Sequence, residues 1–309
     1  MESIQHIKSR LGAVKNIGTI TRAMEVVSAT KMRRSQMLAL DSRAYAFAAL
    51  STLSDLLRYA PEVHLEKSQF VKQREVKATL LVLIASDRGL ASSFNANVMR
   101  EADKYLAARP LSEYSLVLVG KKLGAWATRN KLPVEMMFTD FGDHAHMQEV
   151  APLSDFILKG FIEKKWDKVV VISAHFRTTL DQTTLTREIL PMHVDQIMDT
   201  VREIVPEHGR FSEYREKHED RSMRIENNNF IFEPSPESVL DTLLPHLLNM
   251  QLFHLVLEAN ASEHSARMVA MKNASENAGE LSDTLSLEFN KARQALITKE
   301  MIEITSAIV

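Results

Sequence analysis

The chain has 309 residues, no cysteine, and 38 basic against 40 acidic side chains. That composition excludes disulfides, thiolate chemistry and Cys-ligated metal sites, and the near-zero net charge offers no bulk attraction to nucleic acid or an anionic membrane. No apolar run approaches the ~18 residues of a membrane span, and the amphipathic start MESIQHIKSR lacks the apolar core of a secretory signal.

The first element is expected over about residues 3–59. Ile4, Ile7, Leu11, Val14, Ile17, Ile20, Met24 and Val27 recur in steps of three and four, which predicts one amphipathic helix with these residues as its buried stripe. After Gly18 neither Gly nor Pro occurs until Pro61, and Lys8, Arg10, Lys15, Arg22, Lys31, Arg33 and Arg34 make the other face basic. At the usual rise such a helix is about 80 Å long, more than a compact domain requires.

The centre alternates. VKATLLVLIAS (Val76–Ser86) is a continuous apolar run, read as a buried parallel strand. The turn SDRGLASS follows, then a helix over Asn95–Ala108 with Asn95 as its N-cap. YSLVLVG (Tyr114–Gly120) is a second strand, KLGAWATRN a short helix, and VEMMF a third strand. Gln148–Lys164 reads as helix and DKVVVISAHF (Asp167–Phe176) as strand, followed by TTLDQTTLTREILP as a turn and an antiparallel edge strand. This order predicts a doubly wound, Rossmann-like α/β sheet. Asp195–Asn228 is highly charged and reads as exposed helix and loop, and NNFIFEPSP as a short strand and turn.

The last element starts near Pro236. From His246 to Val309 there is no Pro and only Gly279, and Ala278, Leu281, Leu285, Phe289, Ala292 and Leu296 keep the helical steps. Two long helices at opposite ends of one chain bury their stripes by winding around each other, with an antiparallel pair as the simple topology. The expected organisation is a shaft helix over 1–60, a central α/β domain over 76–233, and a second shaft helix over 234–309 pairing with the first.

Little in the chain carries chemistry. Ser86–Leu90 (SDRGL) sits where open α/β sheets bind phosphates, yet it has one Gly and neither GxGxxG nor a Walker pattern. A structural turn or contact surface is the stronger reading. GKKLG (Gly120–Gly124) is too short for a phosphate loop. His144 and His146, beside Asp140 and Asp143, fall short of a ligand set, and Glu263–His264 is half of HExxH without its second His. Asp87, Glu188 and Glu233 cannot be paired from sequence as acid and base. No catalytic residue, metal or cofactor is expected. The last helix instead carries Arg267, Asn273, Asn277, Asn290, Arg293, Gln294, Thr298 and Glu300 among small Ala259, Ala261, Ala266, Ala270, Ala274, Ala278, Ala292 and Ala295. This is either a solvated helix face or a shaft that hydrogen-bonds several surrounding partners.

Three motifs give the chain a likeness. TRAMEVVSATKMRRSQ (Thr21–Gln36), SDRGL with Asn95 and Asn97, and ASEHSARMVAMKNASENAGELSDTLSLEFNKARQALITKEMIEI near the C-terminus occur in order. Over essentially its whole length the chain resembles the gamma subunits of F-type ATP synthases. The resemblance implies an antiparallel coiled coil of the terminal helices with a Rossmann-like foot. It implies a non-catalytic rotor shaft, one copy per complex, that couples ion flow at a membrane c ring to the catalytic alpha/beta hexamer. Its implied partners are the alpha and beta subunits, the epsilon subunit and the c ring, with neither nucleic acid nor a membrane span. The implied place is peripheral, on the cytoplasmic face of the bacterial plasma membrane. By motif match, Met24, Arg267, Arg293, Gln294, Thr298 and Glu300 are implied coupling contacts to beta. Asp87, Arg88, Phe230, Phe232 and Glu233 are implied foot contacts to the c ring or epsilon. A nucleotide-dependent α/β enzyme with a helical dimerisation arm accounts for the centre but not for the terminal motifs. One departure is local: the family's turn commonly continues DRGLCGG, and here it is DRGLASS, which replaces two glycines and restricts the backbone.

Overall fold

The computed structural model describes residues 3–59, 68–108, 110–141, 146–192 and 233–306. In chain order these form α1 (Ile4–Tyr59), β1 (Thr79–Ile84), α2 (Phe94–Leu106), β2 (Tyr114–Val119), α3 (Lys122–Arg129), β3 (Val134–Phe138), α4 (Met147–Ile162), β4 (Lys168–Phe176), β5 (Gln182–Leu190) and α5 (Pro236–Ser306). The chain divides into two compact units, residues 1–30 with 267–309, and residues 31–266.

The larger unit is built on a five-stranded sheet of order β3-β2-β1-β4-β5. β1 lies parallel to both β2 and β4, and β5 closes the edge antiparallel to β4. The apolar run TLLVLI explains the central place of β1, because every residue of it is buried. Alternate side chains enter opposite layers, as the strand's two-residue period requires. Leu80, Val82 and Ile84 join α4 (Val150, Leu153, Ile157, Phe161), Trp166 and the start of α5 (Leu244, Leu247, Leu248). Leu81 and Leu83 join α2 (Val98, Ala102, Leu106) and α3 (Leu123, Trp126). Each such fully buried side chain contributes roughly 1.5–3 kcal/mol, so the sheet with its two helical layers is a self-sufficient core.

Helix ends differ in detail from expectation. α2 begins one residue early, at Phe94, with Ser93 at the N-cap position. Asn95 is therefore not the cap. Its Oδ1 instead accepts the Ser86 backbone N–H at 3.1 Å and lies 2.9 Å from Ser86 Oγ, tying the helix back to the end of β1. α5 starts where the sequence suggests, at Pro236, and Pro245 sits inside it without ending it. The segments Asp195–Asn228 and Asn228–Phe232 lie outside the described residues.

In the smaller unit the pairing seam departs from the apolar stripe. Ile7, Thr21 and Ser28 are buried on α1, whereas Ile17, Ile20 and Val27 are 52 %, 58 % and 53 % exposed. The reason is periodicity. At about 100° per residue, seven residues return to within ~20° of the starting face, but two successive steps of three leave the side chain ~120° away. Val14, Thr21 and Ser28 follow the first rule, and Val14, Ile17 and Ile20 the second. Small residues make the seam close: a Cβ at Gly18 would touch the Ala278 methyl at 3.4 Å, and Ser275 Oγ lies 3.5 Å from the Gly18 carbonyl. On α5, Leu285 is 1 % exposed and anchors the seam, while Leu281 and Leu296, also expected inside, are each 44 % exposed.

Candidate functional site

The C-terminal edge of the sheet is where a doubly wound fold holds ligands. Here Asp87 occupies it. Its Oδ1 accepts the Lys121 N–H at 2.9 Å and its Oδ2 the Asp140 N–H at 2.9 Å. Lys121 Nζ reaches back to Asp140 Oδ1 at 2.8 Å. That contact, with the Thr139 hydroxyl, holds the Asp140 carboxyl below its usual range, and Asp140 in turn raises Lys121. Gly120 brings the loops together: its φ is +106°, and a Cβ there would collide with the Ala85 carbonyl oxygen. Two backbone N–H groups at this edge, those of Lys121 and Asp140, are thus engaged by a carboxylate of the chain itself. The crevice between β1 and β4, where the strand order reverses, is filled by Ala91, Phe94 and Ala174, with Ala85 and Ala266 packed against them.

Asp87→Ala is expected to lower the stability of the isolated chain by about 1.5–3 kcal/mol, because two amide donors lose a charge-assisted acceptor at once. Chemical denaturation checks it, and an unchanged midpoint would show that water replaces the carboxylate without loss.

The same turn bears the two residues that replace glycine. Ser92, where the family pattern has Gly, still has φ +50°, and Leu90 has φ +64°. Left-handed backbone is costly for side chains with a Cβ, so the turn keeps the shape and accepts the strain. Arg88 is exposed on it, and Leu90 is 65 % exposed.

The candidate residues sort cleanly between the two units. Met24, Arg267, Arg293, Gln294, Thr298 and Glu300 all belong to the smaller one, and Asp87, Arg88 and Glu233 to the larger. Arg293, Gln294, Thr298 and Glu300 are exposed along the end of α5, where Thr298 Oγ1 donates to the Gln294 carbonyl at 2.9 Å. Met24 is half-buried. Arg267 is 6 % exposed and has a partner within the chain, so it is not a bare surface cation. Glu233 is exposed just before α5. Phe230, Phe232, Asp143 and His144 lie outside the described residues. Among the described residues no three His, Asp or Glu side chains are placed to hold a metal ion.

Sequence reasoning missed two features. The first is the exposed apolar set of the smaller unit: Ile17, Ile20, Val26 and Val27 on α1, with Leu281, Leu287, Leu296, Ile297, Met301 and Ile302 on α5. On α1, a strict seven-residue count from Ile7 separates Ile17, Ile20, Val26 and Val27 from the seam. The second is a buried ionic cluster of His175, Arg187 and Glu258, whose members lie up to 83 residues apart in the chain and leave no local signal.

A family model described as ATP synthase matches residues 3–308. The chain is 37 % identical to the ATP synthase gamma chain of Roseiflexus sp. (strain RS-1), covering 99 % of this chain and 97 % of that one. It is 39 % identical to the ATP synthase gamma chain of Opitutus terrae, covering 99 % and 98 %. Among solved structures it resembles a chain of the Euglena gracilis mitochondrial ATP synthase OSCP/F1/c-ring assembly with a TM-score of 0.63 at 17 % identity, covering 99 % of this chain and 93 % of that chain. It also resembles a chain of the Tetrahymena thermophila mitochondrial ATP synthase central stalk/c-ring with a TM-score of 0.57 at 24 % identity, covering 83 % and 99 %.

Proposed function

The chain belongs to the ATP synthase gamma family, and we propose that it works as the central rotor shaft of such an enzyme, at the cytoplasmic face of a bacterial plasma membrane. It contributes no catalytic group. Among the described residues no helix is long and apolar enough to cross a membrane, in keeping with a peripheral subunit. In this reading residues 1–60 and 234–309 form the antiparallel shaft and residues 76–233 the foot. The alpha/beta hexamer surrounds the shaft, while epsilon and the c ring hold the foot. Met24, Arg267, Arg293, Gln294, Thr298 and Glu300 meet the hexamer, and Asp87, Arg88, Phe230, Phe232 and Glu233 face epsilon or the ring.

One observation carries the shaft reading. Among the described residues of the smaller unit four apolar residues are buried (Ile7, Met271, Ala278 and Leu285), against ten large ones exposed. A pair of helices that leaves so many large apolar side chains in water is built to be enclosed by another protein. An asymmetric shaft inside a ring then biases each surrounding site by touching its open and closed states differently.

The test is purification of the chain with its complex, followed by Met24→Lys. The wild-type chain should bring down alpha, beta and epsilon. The new cation beside beta is expected to over-stabilise one rotary position by on the order of 2–4 kcal/mol and to lower ion transport per ATP hydrolysed in membrane vesicles. A ratio equal to wild type would remove Met24 from the coupling surface. Failure of the wild-type chain to associate would remove the shaft reading itself.

A further inference from the structure

The shaft must be turned by its foot, so some contact between sheet and helix has to resist rotation of α5 about its own axis. Most of that contact is apolar: Leu244, Leu247, Leu248, Leu252 and Leu255 pack into the core beneath the sheet. Apolar packing opposes separation but is non-directional. Among the described residues, directional contacts of α5 with the β4–β5 hairpin include those at Glu258 and Ser265.

At the first, the Glu258 carboxylate lies between two side chains of the hairpin. His175 Nδ1, from β4, is 3.3 Å from it, and Arg187 Nη1, from β5, is 3.5 Å away. Arg187 Nη2 also lies 3.3 Å from His175 Nδ1. The three side chains are only 9–13 % exposed. At the second, Ser265 Oγ donates to the Thr179 carbonyl at 2.7 Å, and Gln182 Nε2 bridges the Thr179 carbonyl at 2.9 Å and Ser265 Oγ at 3.4 Å. The turn that presents these groups is itself braced, because Thr178 Oγ1 accepts the Asp181 N–H at 3.0 Å.

We propose that Glu258 and Ser265 form a two-point torque latch by which the β4–β5 hairpin grips the C-terminal helix. The proposal rests on the shaft reading above. The two residues are seven apart, so they share one face of the helix and are separated by about 10 Å along its axis. Two directional contacts on one face fix both the azimuth of the helix and its axial position. A turn of one residue, about 100°, would carry the carboxylate away from the Arg187 guanidinium and the His175 ring and leave buried charge without these partners, which is far more costly than sliding one apolar side chain over another. Glu258, Arg187 and Ser265 are positioning residues, since they touch no reacting group. They hold α5 in register against the hairpin.

The latch is tested in the assembled complex with Glu258→Leu/Arg187→Met, which replaces the ionic grip by apolar side chains of similar reach. Buried ion pairs replaced in this way often retain stability, so the isolated chain is expected to melt within about 5 °C of wild type. Ion transport per ATP hydrolysed should fall at least twofold. Glu258→Gln, which keeps the shape and one acceptor, should fall between the two. Ser265→Ala gives an independent arm that adds no bulk: its melting point should match wild type while its coupling ratio drops. Coupling ratios equal to wild type in Glu258→Gln and Ser265→Ala would overturn the latch, and so would losses that track the melting point alone. Co-purification of alpha, beta and epsilon is scored first with the wild-type chain. Its failure would defeat the shaft reading rather than the latch.

Discussion

Gly160→Ala is expected to destabilise the isolated chain by about 3 kcal/mol or more and to lower its melting temperature by on the order of 10 °C. Gly160 lies in the last turn of α4, and the ring of Trp166 packs directly on it, so that a Cβ would fall within the six-membered part of the indole. Trp166 cannot simply move aside. It is 1 % exposed, its Nε1 donates to the Ile157 carbonyl at 3.1 Å, and Phe156 flanks it at a ring-centroid distance of 5.6 Å. Overpacking of this kind costs about 1–3 kcal/mol. Swinging the indole away from Ile157 adds about 1–3 kcal/mol for a buried donor left without an acceptor. Gly12, on an open face of α1 with nothing within 4 Å of its missing Cβ, is the control, and alanine there should be neutral or stabilising. Thermal melts of the two variants side by side check the expectation. A Gly160→Ala chain that melts with wild type would show that the ring yields without loss.

Acidification should weaken the chain before most of its carboxylates titrate. His254 is 1 % exposed in the core of α5, and burial, partly offset by Glu258, lowers its pKa from the usual 6.5 to about 4. Its Nε2 is 3.4 Å from Ser42 Oγ on α1. The folded chain therefore binds fewer protons than the unfolded chain between those two values. Stability is full above about pH 6.5, falls as the pH drops through the window, and loses no more to this group below about pH 4. The whole loss is about 3 kcal/mol, from a shift of two to three units at 1.36 kcal/mol each. Denaturant midpoints of the isolated chain at pH 7, 6 and 5 should decline, and His254→Gln should flatten that decline whatever its own stability at pH 7. Equal slopes in the two chains would show that His254 is protonated in the folded state.

Much of the architecture was legible locally. A continuous apolar run at Val76–Ser86 predicts a strand buried on both faces, and β1 is that strand. The three-and-four spacing and the scarcity of Gly and Pro predict the two long helices, and α1 and α5 are those helices. The turn at Ser86–Leu90 was read as a structural turn or contact surface because it lacks phosphate-loop glycines, and in the fold Asp87 ties it to the Lys121 and Asp140 backbone. Helix and strand periods depend on neighbours within a few residues, which a sequence displays directly.

What it did not display depended on partners distant in the chain. Ile17 and Ile20 suit a seam by hydrophobicity, yet α5 meets α1 at Gly18, where small side chains let the helices approach closely. Asn95 suits a helix cap, yet it serves the end of β1 because Ser86 is brought beside it. Arg187, His175 and Glu258 show no pattern in sequence, since β5, β4 and α5 have to be assembled before their charges meet. By itself the sequence determined which segments are helix and strand, their order, and the family to which they belong, because periodicity and motif are local. The tertiary structure alone decided which face of each helix is the seam, what fills the crevice at the sheet edge, and which side chains of β4, β5 and α5 meet. Those outcomes turn on side-chain volume and charge pairing between segments far apart in the chain, and they take effect only when the chain has brought those segments together.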